Sequence, residues 1–111
     1  MTKKEINILI AAGEGLNLEF KRRMDSRHAD TLVAFANATG GQLLLGVEDD
    51  RTISGYTLSN ELKSQIEGVA RNCDPPVNIE LQEVQMDNGV AVTVISIPPS
   101  GQGPYRSTNG F

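Results

Sequence analysis

Apolar and polar positions change period several times along the chain, and each change marks an element. Thr2-Lys3-Lys4-Glu5 has the spacing of a helix capping box, and Ile6, Leu9 and Ile10 follow at helical intervals. This predicts a short first helix ending near Gly13. Leu16, Leu18 and Phe20 then alternate with Asn17, Glu19 and Lys21, a period of two that predicts a strand over residues 16–21. Its polar side carries Glu19 and Lys21 together. A charged loop from Arg22 to Arg27 leads to a second helix, with Asp30 in its first turn and Ala29, Leu32, Val33 and Ala36 forming one stripe. Gly40-Gly41 ends that helix.

Leu43-Leu44-Leu45-Gly46-Val47 is continuously apolar, as expected of a strand buried on both faces. Glu48-Asp49-Asp50-Arg51 turns the chain, and Ile53 to Tyr56 reads as a short edge strand. A third helix starts around Ser59 with the stripe Leu62, Ile66, Val69 and Cys73, and stops at Asp74-Pro75-Pro76. The last third forms a hairpin. A three-residue loop, Asp87-Asn88-Gly89, sets Met86 opposite Val90, Val84 opposite Val92, Leu81 opposite Ile95 and Ile79 opposite Ile97. Both strands switch apolar phase at one rung, between Gln82/Val94 and Leu81/Ile95, which suggests a twist or bulge there. Residues 98–111 read as a loop. The element order implies an α+β domain, a small mixed β-sheet with about three helices packed on it as a two-layer sandwich.

Composition narrows the class. The 111 residues suit a single domain over 1–111, and 39% hydrophobic residues with 11 glycines fall in the ordinary globular range. The longest apolar run, Ile8 to Ala12, is far too short to span a membrane. Glu5 and Asn7 break any signal-like segment, so a cytoplasmic location is expected, and the single Cys73 fits it. A net charge of −4 argues against coating nucleic acid by bulk electrostatics but permits a local basic patch. Three Phe and two Tyr are few for a base-stacking surface.

In this order the motifs resemble the Schlafen AlbA-type domain of bacterial proteins described as transcriptional regulators or divergent ATPase-like proteins. The resemblance rests on Gly13-Glu14, Leu18-Glu19-Phe20-Lys21, the block Phe35-Ala36-Asn37-Ala38-Thr39-Gly40-Gly41, and Leu44 to Asp50. Gly55, Pro75-Pro76 and Ile97-Pro98-Pro99-Ser100 complete it. It implies a nucleic-acid-binding module, usually N-terminal to other regions, and in eukaryotic relatives a metal-dependent RNase. It also implies that Pro104-Tyr105 leads into a further strand, so the chain is expected to be a fragment cut before its last strand. A sheet edge left open by that cut would favour a homodimer.

Two candidate sites emerge. Glu19 and Lys21, two apart on one strand face, have the geometry of the carboxylate–x–lysine pair of metal-dependent nucleases. There the acid holds Mg²⁺ or Mn²⁺ and the lysine offsets charge on the scissile phosphate. Glu14 would join from the end of the first helix, and Glu48 or Asp49 would supply the third carboxylate. The resemblance places that third acid after Gly46-Val47, at Glu48. The catalytic set under this ribonuclease reading is Glu14, Glu19 and Lys21, and the metal set Glu14, Glu19, Glu48 and Asp49. The same residues also fit a solvated strand face and a helix-end charge.

The second site is the basic cluster Lys21, Arg22, Arg23 and Arg27, interrupted by Asp25 and followed by His28. It suits phosphate contact, with Asn37 a further candidate ahead of Gly40-Gly41. Such binding requires no cofactor. No phosphate-cradling Gly-x-x-x-x-Gly-Lys-Ser/Thr occurs, so ATP is not expected. His28 stands without the partners that a zinc site needs. The leading reading is a nucleic-acid-binding module of a transcriptional regulator. The alternatives are a metal-dependent ribonuclease and a protein-interaction or dimerisation unit.

Overall fold

A computed structural model describes residues 1–99. The chain runs α1 (Lys3–Ala12), β1 (Leu18–Lys21), a 3₁₀ turn (Ser26–His28), α2 (Ala29–Asn37), β2 (Gly41–Leu45), α3 (Asn60–Arg71), β3 (Glu80–Gln85) and β4 (Ala91–Ile97). The expected further strand after Pro104-Tyr105 lies outside the described residues. The capping box at Thr2 forms, with the Thr2 side chain accepting from the Glu5 N–H and Glu5 accepting from the Thr2 N–H. Ser59 caps α3 by accepting from the Leu62 N–H.

The four strands form one mixed sheet in the order β1-β2-β4-β3. β1 and β2 are parallel, joined through α2, and the remaining pairs are antiparallel. The described residues therefore form an α+β fold with three helices on a mixed sheet, as the element order implies. The helices, however, occupy both faces of the sheet rather than one. Ile6 and Ile10 of α1 pack with Leu18, Phe20, Leu44, Val84, Val92 and Val94 on one side. Leu32, Phe35 and Ala36 of α2 and Ile66 and Ala70 of α3 pack with Leu43, Leu45, Ile95 and Ile97 on the other. Leu43, Leu44 and Leu45 are all fully buried, because β2 lies between both cores.

This double core also accounts for the phase change in the hairpin. The three-residue loop and the register are as expected: Val84 faces Val92, Leu81 faces Ile95, and the Met86 N–H donates to the Val90 carbonyl. No bulge interrupts the ladder, which runs from Glu80↔Ser96 to Gln85↔Ala91. Instead Val84 and Met86 serve the α1 core, whereas Ile79 and Leu81 serve the α2–α3 core. β3 changes partners along its length without breaking its pairing.

Three boundaries shift. β1 begins at Leu18, because Gly15 and Leu18 pair across a tight turn that leaves Leu16 92% exposed at its tip. β2 ends at Leu45, because Gly46 turns out of the sheet at φ 97°. Ile53 to Tyr56 contributes one isolated bridge, Val47↔Ile53, rather than a strand.

Candidate nucleic-acid interface

Because β1 and β2 run parallel, their carboxyl ends emerge side by side, and open α/β-type sheets place ligands at such ends. Here the two exits are stitched together. The Lys21 carbonyl accepts from both the Gly46 N–H (2.8 Å) and the Val47 N–H (3.3 Å). Gly46 makes this turn at positive φ, and a Cβ there would stand 2.6 Å from the Gly55 carbonyl carbon. The loops after β1 and β2 consequently form the two walls of one cavity of about 310 Å³. Lys21, Arg22, Arg23, Asp25, Arg27 and His28 line one wall and Glu48 and Asp49 the other, with Phe20 and Val47 at its base.

The Arg22–Arg27 segment is more ordered than a plain charged loop. Asp25 caps the 3₁₀ turn by accepting from the Arg27 N–H at 2.8 Å, and its carboxylate also holds the Arg27 guanidinium at 2.8 Å. His28 Nδ1 accepts from the Asp25 N–H at 3.3 Å, closing the turn reciprocally. The Arg27 side chain, then the Arg27 N–H, hold the Asp25 carboxyl far below the usual carboxylate range. An aspartate two residues before an arginine and three before a histidine is the sequence signal for this cap.

Most of the cavity's cations already have a counter-charge. Arg22 Nε donates to Glu48 Oε1 at 3.1 Å, Arg27 is held by Asp25, and Lys21 Nζ lies 3.5 Å from Glu19 Oε2. The Arg23 side chain makes no ion pair or hydrogen bond with any described residue. The four Lys and Arg side chains of the lining outnumber its three carboxylates by one. The field is positive but modest.

The nuclease constellation is not gathered. Glu14 lies at the outer edge of β1, where its Oε2 accepts from the Phe20 N–H at 2.8 Å. Glu19 and Lys21, 33% and 36% exposed, point to the side on which α2 packs, and the Thr31 hydroxyl reaches Glu19 at 3.5 Å. Glu48 faces Arg22. Among the described residues no three His, Cys, Asp or Glu side chains are placed to hold a metal ion. The residues therefore do not fit a three-ligand cation site in this arrangement. Asn37 sits in the last turn of α2, about 12 Å along the helix from its start, and does not line the cavity.

Sequence reasoning missed the part played by Arg51. It adopts φ 73°, reaches back to donate to the Ala11 carbonyl at 3.0 Å, and closes the end of α1 beside Gly13. No sequence spacing signals that contact, since it spans 40 residues.

With the walls and their charges defined, comparison with known proteins places the chain. The family model for Schlafen, AlbA_2 matches residues 14–111, nearly the whole length. The chain belongs to the Schlafen AlbA_2 family. Membership makes this a nucleic-acid-related domain. The crystal structure of the DIP2311 protein from Corynebacterium diphtheriae is similar, with a TM-score of 0.55 at 16% identity. The match covers 88% of this chain and 22% of that one, so the chain spans about a fifth of that protein, and the likeness is one of fold. No curated protein matches. No helix among the described residues of this AlbA_2 domain is long and apolar enough to cross a membrane.

Proposed function

We propose that this Schlafen AlbA_2 domain is a nucleic-acid-binding module that contacts phosphate at the cavity between the β1 and β2 exits, as one part of a transcriptional regulator. The observation that carries the reading is the clustering of Lys21, Arg22, Arg23 and Arg27 on one wall of a concave site at the carboxyl ends of two parallel strands. Arg and Lys at such a site supply affinity through phosphate contact without reading base sequence. The modest net charge of the lining restricts this to a few phosphates. Affinity is then expected to be weak in bulk terms, with a log–log salt slope of about −1 to −3.

The test is a fluorescence-anisotropy titration of labelled single- and double-stranded DNA and RNA at several salt concentrations. It uses wild-type protein and the double variant Arg22→Ala, Arg23→Ala. Binding by wild type, with weaker binding and a shallower slope in the variant, supports the reading. An unchanged slope in the variant counts against this cavity, and no binding to any of the four nucleic acids counts against the function. Product analysis of the same RNA samples with Mg²⁺ or Mn²⁺ tests for ribonuclease activity directly.

A further inference from the structure

The shape and charge of the cavity bear on which part of a nucleic acid it takes. We infer that the cavity is built for the end of a strand, receiving a terminal phosphomonoester rather than a phosphodiester within a continuous backbone. The inference rests on the binding reading above and specifies its ligand.

Three observations support it. First, the cations are clustered and not strung out: all four come from one seven-residue segment, 21–27, and line a single open concavity of about 310 Å³ that also includes Phe20 and Val47. A continuous backbone is served better by cations spread along a surface, each matched to its own phosphate. Second, the opposite wall carries Glu48 and Asp49. A strand running through would bring neighbouring phosphates past these carboxylates, where like charges repel. A strand that terminates between the walls presents one phosphate to the cationic side and sends nothing across the acidic one. Third, the charge available is small but local. Arg22, Arg27 and Lys21 each have a carboxylate nearby, whereas the Arg23 side chain has no partner among the described residues. A terminal phosphate carries about −1.5 to −2 at neutral pH and three acceptor oxygens. It therefore competes for these guanidinium groups better than a monoanionic diester, and it can bind Arg23 while drawing on Arg22 or Arg27.

The experiment compares four labelled oligonucleotides of one sequence, with the label at an internal base. One carries a 5′-phosphate, one a 3′-phosphate, one hydroxyls at both ends, and one is circular. Binding at least tenfold tighter for either phosphorylated end than for the hydroxyl and circular forms is the expected result, and the two phosphorylated arms identify the end. Arg23→Ala, at an exposed position, should cut that advantage to threefold or less, with an unchanged circular dichroism spectrum as the check that the fold is kept. Equal affinity for all four oligonucleotides overturns the inference while leaving the binding function intact. An end preference that survives in Arg23→Ala overturns the assignment to this cavity. Absence of binding to all four overturns both the inference and the function on which it rests.

Discussion

Glu48, the first acid after β2, accepts a hydrogen bond from Arg22, the first residue after β1, at 3.1 Å. The pair joins the two walls of the cavity, with Arg22 73% and Glu48 25% exposed at the side chain. An ion pair this open adds little to stability, at most about 1 kcal/mol. Under the proposed function its effect falls on recognition, because Glu48 neutralises a guanidinium that would otherwise face an incoming phosphate.

Glu48→Gln should therefore strengthen binding. Removing one negative charge from the cavity and releasing Arg22 is expected to raise affinity for nucleic acid about two- to fivefold at low salt, with the gain shrinking as salt rises. Anisotropy titrations at two salt concentrations measure this. A loss of affinity would mean that the carboxylate itself takes part in ligand contact.

Gly46 sets the geometry on which both walls depend. Substitution by alanine places a methyl against backbone atoms of Gly55 and Tyr56 at 2.6–2.7 Å and forces a side chain into positive φ. Strain and overpacking together predict a loss of about 2–4 kcal/mol in urea unfolding. A change under about 0.5 kcal/mol would show that the turn relaxes freely and that the joint between the loops is soft.

The outer edge of β1 is guarded by Glu14 and by the Gly15 turn, whose carbonyl meets the Leu18 N–H at 3.4 Å. Glu14→Ala leaves the Phe20 N–H without its acceptor, at a cost of about 1 kcal/mol, and exposes a strand edge to other chains. Glu14→Gln keeps an acceptor oxygen and should behave as wild type. Urea midpoints and analytical ultracentrifugation separate the two variants, and equal self-association in both would show that Glu14 does not guard the edge.

The Asp25 carboxyl, held down by Arg27, gives the loop a defined acid limit. Because its folded value lies below the unfolded one, the stabilisation is complete above the ordinary aspartate range near 3.8. It is lost only as the pH falls further, through the folded value. Carbon-13 carboxyl shifts should show Asp25 still ionised at pH 3, and Arg27→Ala should return its titration towards the ordinary range. Titration of wild-type Asp25 near pH 4 would mean that the 3₁₀ turn is open in solution.

The hairpin is legible in the sequence because two signals agree: a loop glycine at the left-handed position, and apolar residues that face one another at alternate rungs on either side of the phase change. Its phase change was visible too, but not its cause. A single strand's pattern does not reveal that a second core lies on the far face, and α1, with Ile6 and Ile10 buried, carries no mark of the face it will cover. The basic cluster was legible as a run of Lys and Arg. Its neutralisation was not, since Glu48 meets Arg22 across 26 residues, through the parallel pairing of two strands. The acidic residues illustrate the same limit. Spacing showed that Glu14 and Glu19 were near one another in the chain, whereas their directions follow from the sheet: one lies along an edge and the other points to a face.

The central claim is that nucleic acid meets this chain between the β1 and β2 exits, and residue-resolved NMR titration tests it most directly. Amide and guanidinium resonances of residues 20–28 and 46–49 are predicted to move on adding an oligonucleotide, with α1 and the Asn37–Gly41 turn unmoved. Shifts centred on α1, on the Asn37–Gly41 turn or on the β3–β4 hairpin, with residues 20–28 silent, would contradict it.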